Sequence, residues 1–345
     1  MAAPLFGQER AYDEFGAFLE EFRAQNSTPA LSAVIVRDGR IVWEGYFGHS
    51  DDESEIPTTT DTTYSIASVT KPIAATAILA ESFAGGLDLD LPMRSDEGWE
   101  DICAWLAGSQ IPFGGGGADM HGNRIAPMDC TKQTTLHDML DMRANGDDFV
   151  YNPIAFARID RAILGARGRP LRAIVHDRVV EPAGMRNVAL GWHDPEEGDA
   201  LRFLAAPFHI MEGRVIKQAI SEDDFRAAAG IKASPRAIAA FDVAFDKGVF
   251  LPPAMIDQLV AAPIGPLGDY RMGWFLEDWK GHRLVWHSGW DPQRYSAMYL
   301  KVPKMKLSLV VLANSEAIWW ENSPVKAQIA SSPIARWFLE SFVSN

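Results

Sequence analysis

Strand-like segments lie at both ends of this chain, and a long helical block separates them. Near the start, residues 31–36 and 41–47 favour strands, and Asp38-Gly39 between them is a strong signal for a hairpin turn. Near the end, apolar stretches joined by short turns predict four more strands, at residues 272–276, 283–287, 295–301 and 307–312. The simplest fold that uses all of these strands is one antiparallel sheet built from both ends of the chain.

The segment between the two strand-rich ends is predicted to be mainly helical. Apolar residues recur there at helical spacing, and the predicted helices cover residues 136–142, 154–164, 170–180, 222–229, 235–245 and 253–261. We therefore predict an α/β (α+β) fold with terminal helices flanking the sheet. Residues 1–64 and 265–345 would form the sheet domain, residues 65–264 a mostly helical sub-domain, and the functional cleft would lie between them.

Charge and composition exclude several classes of partner. The chain has 345 residues and a formal net charge of −14, which argues against nucleic acid or an anionic membrane surface as the main partner. Cys103 and Cys130 are too few for a disulfide framework or a metal site, and their spacing leaves a single bridge open. Asp119, His121 and Asp129 are scattered on a predicted surface loop, so we expect no metal and no cofactor.

The N-terminal residues carry no targeting signal that we can identify. Residues 1–22 lack a basic segment followed by an apolar run, and they instead hold the stripe of an amphipathic helix, formed by Phe15, Phe18, Leu19 and Phe22. No stretch is apolar enough for a membrane span. We expect a cytoplasmic protein, although a trimmed secreted form would look much the same.

The most informative motif is Ser68-Val69-Thr70-Lys71 at the start of a long apolar helix. Residues three apart on a helix share a face, so the Ser68 hydroxyl and the Lys71 amine are expected to lie side by side. A serine becomes a nucleophile when a base removes its proton, and a lysine can act as that base when burial lowers its pKa. The spacing therefore indicates nucleophilic catalysis, with a helix cap and a surface lysine as the structural alternative.

A second match to the same pattern occurs at Ser323-Pro324-Val325-Lys326. We interpret it as the start of a C-terminal helix over about residues 325–342, with nothing catalytic around it. Context separates the two matches, because only Ser68 follows strand-like sequence and opens a long apolar helix.

Four stretches in this order resemble the serine β-lactamase and penicillin-binding-protein superfamily, in its class C β-lactamase-like branch, which includes cytoplasmic esterases of the family VIII type. They are the run into Ser68 and Lys71 from Thr58, Phe149-Val150-Tyr151, Glu181-Pro182-Ala183-Gly184-Met185, and Trp286-His287-Ser288-Gly289-Trp290. The resemblance covers about residues 30–315. It implies the β-lactamase/transpeptidase-like fold and an acyl-enzyme mechanism.

The resemblance also assigns roles to individual residues. It implies Ser68, Lys71, Tyr151 and His287 as catalytic residues. Lys71 and Tyr151 would share the base role, with the anion of Tyr151 favoured beside a cationic Lys71. His287 would orient the tyrosine or bind polar groups of the substrate. The backbone N–H groups of Ser68 and Trp290 would form the oxyanion hole. The remaining positions of the motifs would bind substrate, at Asn152, Ser288 and Gly289.

Two positions depart from the family pattern. Class C β-lactamases carry Tyr-x-Asn, and here the third position is Pro153, so the substrate-binding amide is missing or is replaced by Asn152 pointing elsewhere. His287 replaces the lysine of Lys-Thr-Gly, as in the family's esterases. Taken alone, Tyr151 would be a half-buried tyrosine at a helix start and His287 a strand histidine.

These observations favour a carboxylesterase-type serine hydrolase with at most weak β-lactamase activity. A peptidase or amidase acting on D-amino-acid substrates, or a true β-lactamase, is the first alternative, and a catalytically silent ligand binder is the second. The expected partner is a small-molecule ester, amide or β-lactam. The sequence leaves open the physiological substrate, the acyl and leaving groups, and the oligomeric state.

Overall fold

An eight-stranded antiparallel sheet forms the centre of the computed structural model, which describes residues 3–51, 53–195 and 198–343. The strands are β1 Ala30–Arg37, β2 Arg40–Asp51, β3 Ile56–Pro57, β4 Tyr64–Ser65, β5 Gly117–Ala118, β6 Arg124–Ile125, β7 Val188–Leu190, β8 Phe208–Met211, β9 Arg214–Lys217, β10 Ile231–Ala233, β11 Asp269–Arg271, β12 Trp274–Trp279, β13 His282–Asp291, β14 Tyr295–Val302 and β15 Leu307–Ala313. The large sheet has the order β11-β12-β13-β14-β15-β1-β2-β3.

Pairing between β1 and β15 joins the two ends of the chain. The two strands run antiparallel from the Leu31–Ala313 pair to the Arg37–Leu307 pair. The hairpin between β1 and β2 turns at Asp38 and Gly39, which both have positive φ, at 51° and 72°. Positive φ at two successive residues is the geometry that a tight two-residue hairpin turn requires. The predicted sheet built from both chain ends is therefore confirmed.

The helices flank this sheet and fill the middle of the sequence. They are α1 Ala3–Gln25, α2 Thr70–Phe83, α3 Trp99–Ala107, α4 Pro112–Gly115, α5 Leu136–Leu140, α6 Pro153–Phe156, α7 Ile159–Arg167, α8 Leu171–Val175, α9 Glu181–Ala183, α10 Pro235–Asp246, α11 Pro253–Ala261 and α12 Pro333–Phe342. Among the described residues, none of these helices is long and apolar enough to cross a membrane. The division into a sheet domain and a helical sub-domain at residues 64 and 265 stays a prediction.

The two faces of the sheet are covered by different helices. Val34 and Val36 on β1 pack against Ala239 of α10. Side chains alternate along a strand, so Ile35 points to the other face, beside its cross-strand partner Trp43. There Phe15 of α1 lies 5.4 Å from the Trp43 ring, measured between ring centroids. Helices α1 and α12 also stack on each other through aromatic pairs, so the terminal helices cover one face together.

Several predicted helices are shorter than their sequence pattern. The predicted helix 154–164 is divided into α6 and α7, and the predicted helix 170–180 is α8 followed by a π-helical turn. The predicted terminal helix starts only at Pro333, where Ser332 provides the N-cap and proline occupies the first helical position.

A disulfide joins Cys103 of α3 to Cys130 in the loop before α5. The spacing of the two cysteines in the sequence neither predicted nor excluded this bridge. It ties the irregular segment around β5 and β6 to the helical part of the chain, which matters because that segment lines the cavity described below.

Candidate active site

Ser68 lies in a 3-10 turn, Ala67–Val69, between strand β4 and helix α2. Ala67 adopts a positive φ of 45°, a conformation that non-glycine residues rarely take. Such strain is typical of functional turns, because surrounding structure must hold it in place. Here it holds the Ser68 side chain, which is half-buried, on the wall of a large cavity.

Lys71 lies in the first turn of α2 with its amine directed at Ser68. Its Nζ is 2.9 Å from Ser68 Oγ and donates a hydrogen bond to the Ala228 carbonyl oxygen at 3.0 Å. The side chain is fully buried, and no described carboxylate forms a salt bridge with it. Burial alone lowers the pKa of Lys71 well below its usual value, because an unpaired ammonium is poorly solvated there. The neutral amine is therefore favoured, as a general base requires.

The carbonyl that binds Lys71 belongs to a tight turn. The backbone N–H of Arg226 donates to the Ala229 oxygen at 2.8 Å, and the Ala229 N–H donates to the Arg226 oxygen at 3.1 Å. The Asp224 side chain accepts the Phe225 N–H just before this turn. The predicted helix over residues 222–229 is therefore wrong, because these local bonds replace the helical ladder and turn the Ala228 oxygen towards Lys71.

Tyr151 lies beside Lys71, and its side chain hydrogen-bonds that of Ser68. The Lys71 Nζ is 4.9 Å from the Tyr151 ring centroid, and the ring stacks on Phe275 at 5.3 Å. Burial raises the pKa of Tyr151, and its hydrogen bond with Ser68 offsets only part of this rise. The expected tyrosinate beside a cationic lysine is therefore not what this environment favours, since both groups are stabilised in their neutral forms.

Asn152 and Pro153 form the start of helix α6. Asn152 is 1% exposed, its Oδ1 accepts the Ala155 N–H at 3.0 Å, and its Nδ2 donates to the Phe113 oxygen at 3.1 Å. Pro153 takes the first helical position, where its missing N–H leaves nothing unpaired. The expected substrate contact by Asn152 does not fit this geometry, because both polar atoms of its side chain are already bonded to protein. Asn152 instead caps the helix next to Tyr151.

His287 is fully buried in β13, behind Tyr151. Its Nδ1 is 2.7 Å from the Ser288 carbonyl oxygen, so Nδ1 carries the proton and Nε2, at 3.1 Å, accepts from the Tyr270 hydroxyl. Burial first, and the nearby Lys71 second, lower the pKa of His287 well below its usual value. The imidazole is therefore neutral and has no free nitrogen for a substrate. Its ring centroid lies 5.7 Å from that of Tyr151, a position suited to orienting the tyrosine.

Tyr270 is a site residue that sequence reasoning missed. Besides its bond to His287, its ring lies 4.8 Å from Phe275 and 6.0 Å from Tyr151, between ring centroids. Tyr270 and Phe275 are cross-strand partners in the β11–β12 hairpin. A hairpin signal around Met272-Gly273, where both residues have positive φ, is the only local clue to this placement.

Gly289 and Trp290 play different parts at the end of the histidine motif. A Cβ at Gly289 would lie 2.2 Å from the Ile66 carbonyl oxygen, so the glycine lets β13 approach the strand leading to Ser68. Trp290 lines the cavity, is 43% exposed, and donates from Nε1 to Glu316 at 2.6 Å. Its backbone role in an oxyanion hole stays a prediction, as does the substrate contact by Gly289.

The irregular segment between β15 and α12, residues 314–328, forms another wall of the cavity. Asn322 Nδ2 donates to the Ser288 hydroxyl at 2.9 Å, the Ser323 hydroxyl donates to Asp119 at 2.5 Å, and the Pro324 oxygen accepts the Tyr151 N–H at 2.6 Å. The second Ser-x-x-Lys match was therefore interpreted wrongly. Ser323 opens no helix, and it lies on the cavity wall.

The cavity beside Ser68 has a volume of about 830 Å³. Much of its surface is apolar, with side chains that include Ile102, Phe113, Met120, Ile154, Phe275 and Trp319. Concave, mainly apolar cavities of this size with a few polar groups are typical of small-molecule sites. The structure thus brings Ser68, Lys71 and Tyr151 together at one wall of a space large enough for an organic substrate, with His287 directly behind.

Parts of this chain are similar in sequence to known proteins. The "Serine beta-lactamase-like protein LACTB, mitochondrial" of Bos taurus is 32% identical over 85 residues, covering 25% of this chain and 15% of that protein. The "Esterase EstB" of Burkholderia gladioli is 29% identical over 200 residues, covering 51% of this chain. The match spans about half, 49%, of the esterase's own length.

The fold is shared with solved structures of low sequence identity. The D-amino acid amidase from Ochrobactrum anthropi SV3 superposes with a TM-score of 0.68 at 16% identity, over 96% of this chain and 98% of that one. The sequence model of the β-lactamase family matches residues 15–321. The chain therefore belongs to the β-lactamase family.

Proposed function

We propose that this protein is a carboxylesterase-type serine hydrolase that works through an acyl-enzyme on Ser68. The observation that carries this proposal is the Ser68–Lys71 pair, 2.9 Å apart, with a fully buried amine and no described carboxylate bonded to it. A lysine in this environment favours its neutral form, and a neutral amine can accept the serine proton.

In the first step, Lys71 Nζ takes the proton as Ser68 Oγ attacks the substrate carbonyl. The oxyanion that forms would be bound by the backbone N–H groups of Ser68 and Trp290, at roughly 3 kcal/mol for each donor. Tyr151 is protonated before this step. Its phenol would then donate that proton to the leaving alkoxide and take a proton back from Lys71. In the second step, neutral Lys71 would accept a proton from the attacking water and return it to Ser68 Oγ as the bond between Ser68 Oγ and the acyl carbon breaks, which releases the acid. Neutral His287 and Tyr270 would hold the Tyr151 ring in place.

Esters are the substrate class that this site favours. The cavity wall is mainly apolar and suits an acyl chain, and no amide side chain from Asn152 reaches into it. The similarity to an esterase points the same way. Alkoxide leaving groups also need less help in departing than amines do. We place hydrolysis of D-amino-acid amides and of β-lactams behind ester hydrolysis for these reasons.

The disulfide bears on where the protein works. A bridge such as Cys103–Cys130 is typical of oxidising compartments, because reducing systems keep most cytosolic thiols unpaired. We therefore propose an oxidising compartment in place of the cytoplasmic location expected above.

The direct test is hydrolysis of p-nitrophenyl acetate and butyrate by the purified protein, alongside D-phenylalanine amide and nitrocefin. We expect turnover of the esters, a loss of about 1,000-fold or more in Ser68→Ala, and little change in Ser82→Ala, a matched substitution at the far end of α2. A fluorophosphonate should label Ser68 and not Ser323, as read by peptide mass spectrometry. Absence of both turnover and label would identify a silent binder.

A further inference from the structure

One wall of the cavity carries cationic side chains that the proposed chemistry does not use. Arg161 of α7 and Arg226 of the turn before β10 both line the cavity and are exposed. Neither forms a salt bridge with any residue that the structure describes. Arg158, which also lines the cavity, differs because its guanidinium is bonded to Asp96 at 2.7 Å. Arg161 and Arg226 thus feel the attraction of the Asp160 carboxylate but have no described partner at salt-bridge distance, so their guanidinium groups can still bond a ligand.

These two arginines belong to elements that pack close to Lys71, namely the turn before β10 and the start of α7. Arg226 belongs to the turn whose Ala228 oxygen binds Lys71 Nζ at 3.0 Å. The Asp160 carboxylate accepts a backbone hydrogen bond from Ala227 and is attracted to both Arg161 and Arg226. Asp160 therefore places the start of α7 against this turn, and the two guanidinium groups lie on the same wall as the base.

Asp119 gives the cavity the opposite charge elsewhere. It lines the cavity from the β5–β6 loop. Although burial opposes it, hydrogen bonds from Asn123 and Ser323 bring the pKa of Asp119 to about 2, so it stays anionic. Between the charged groups the wall is apolar, with Phe113, Ile154 and Phe275 among its members. A substrate that fits has an apolar middle and an anionic end, because an anion is attracted by the arginines and repelled by Asp119.

We infer that the acyl group of the preferred substrate ends in an anion, such as the free carboxylate of a dicarboxylic half-ester. This inference rests on the proposed esterase function and names its substrate class. Arginine presents a fork of N–H donors that matches a carboxylate. The overall field of the protein works against such a ligand, since the net charge is −14, so any preference for it must arise locally at this wall.

The test compares the mono-p-nitrophenyl ester of adipic acid with the same compound capped as its methyl ester. The pair differs only in the distal charge, and the adipate chain is too long for efficient attack on its own ester. A third substrate, with an ammonium in place of the carboxylate, probes attraction by Asp119. We expect the wild-type kcat/KM to be highest for the anionic ester, by about 10-fold, and to decline for it as salt is added.

The variants are Arg161→Gln, Arg226→Gln and the double substitution, with Arg167→Gln as the matched control. Arg167 is exposed on the same helix and does not line the cavity. The anionic-to-neutral ratio of kcat/KM should fall about 10-fold in the double variant, mainly through KM, and should be unchanged in Arg167→Gln. Equal rates for the two esters, a cationic preference, or an unchanged ratio in the double variant would overturn the inference while leaving ester hydrolysis intact. Failure to hydrolyse any of these esters would overturn both proposals.

Discussion

Two buried lysines show how one residue type takes opposite roles in this chain. Lys71 at the cavity is fully buried, and among the described residues its amine hydrogen-bonds a hydroxyl and a carbonyl oxygen but no carboxylate. Lys301 on β14 is 2% exposed, and its amine pairs with Asp242 and, at 2.8 Å, with Asp246. Burial disfavours the ammonium at both sites, but only Lys301 has carboxylates to offset it.

The pKa directions follow from these partners. Burial lowers the pKa of Lys71, whereas at Lys301 the opposing attraction of Asp242 and Asp246 outweighs burial and raises the pKa. The Tyr299 hydroxyl adds a hydrogen bond to Asp242 at 2.6 Å. A buried amine without a carboxylate is thus suited to exchanging protons, and one with carboxylates is a fixed structural charge.

The largest expected effect is on activity, from Lys71→Met. Removal of the base should lower kcat by about 1,000-fold. The free energy of unfolding at neutral pH should be equal or higher. Because burial lowers the pKa of Lys71 in the folded state, the unfolded state binds more protons below the usual lysine pKa, and this difference destabilises the wild-type protein there. Ester kinetics and urea unfolding of the same sample test both parts. Near-wild-type kcat would remove Lys71 from the mechanism.

Lys301→Met should have the opposite effects, with lower stability and nearly unchanged activity. It leaves the fully buried carboxylate of Asp242 without its cation and removes a partner of the partly exposed Asp246, so the free energy of unfolding should fall by about 3–5 kcal/mol. The kcat per folded molecule should stay within about twofold of wild type. If stability is unchanged, the contrast between the two lysines fails. Restoration of stability by Lys301→Met combined with Asp242→Asn would identify the unpaired carboxylate as the cause.

The smallest and most specific effect concerns pH. Because the base must be neutral, kcat/KM for p-nitrophenyl butyrate should rise with pH through the depressed pKa of Lys71 and level off below the usual lysine range. Burial raises the pKa of Tyr151, so the rate should not decline until pH exceeds the usual tyrosine range. A profile measured from about pH 5 to about pH 10, corrected for spontaneous hydrolysis, tests this. A rate still climbing at the upper end would indicate that Lys71 is protonated at neutral pH.

The sequence predicted the parts of this site that depend on short-range geometry or on family motifs. Ser68 and Lys71 are three residues apart, so helical geometry alone places them together. The alternating strands at both chain ends likewise predicted the sheet, because each strand carries its own pattern. Tyr151 and His287 were found only through resemblance, since nothing local distinguishes them from ordinary aromatic residues in a half-buried position.

The parts that the sequence missed have no residue-type signature. Any residue can supply a carbonyl, so the Ala228 oxygen that binds Lys71 could not be identified, and its turn was predicted as a helix. Tyr270 reaches His287 only through the register of the β11–β12 hairpin. Ser323 and Asp119 are about 200 residues apart in the sequence, and only folding brings them together.

Residues 314–328 contribute to the cavity wall without being a strand of the large sheet. This segment lies outside the strand ladders of the sheet and is attached to the rest of the cavity at Ser288, Asp119 and Tyr151. Substitutions at its cavity-lining positions, such as Trp319, would reshape the space offered to a substrate, because these positions lie away from the paired strands and from the Ser68–Lys71 pair. The surface that would face a substrate and the sheet that holds the fold together are therefore built from different parts of the chain.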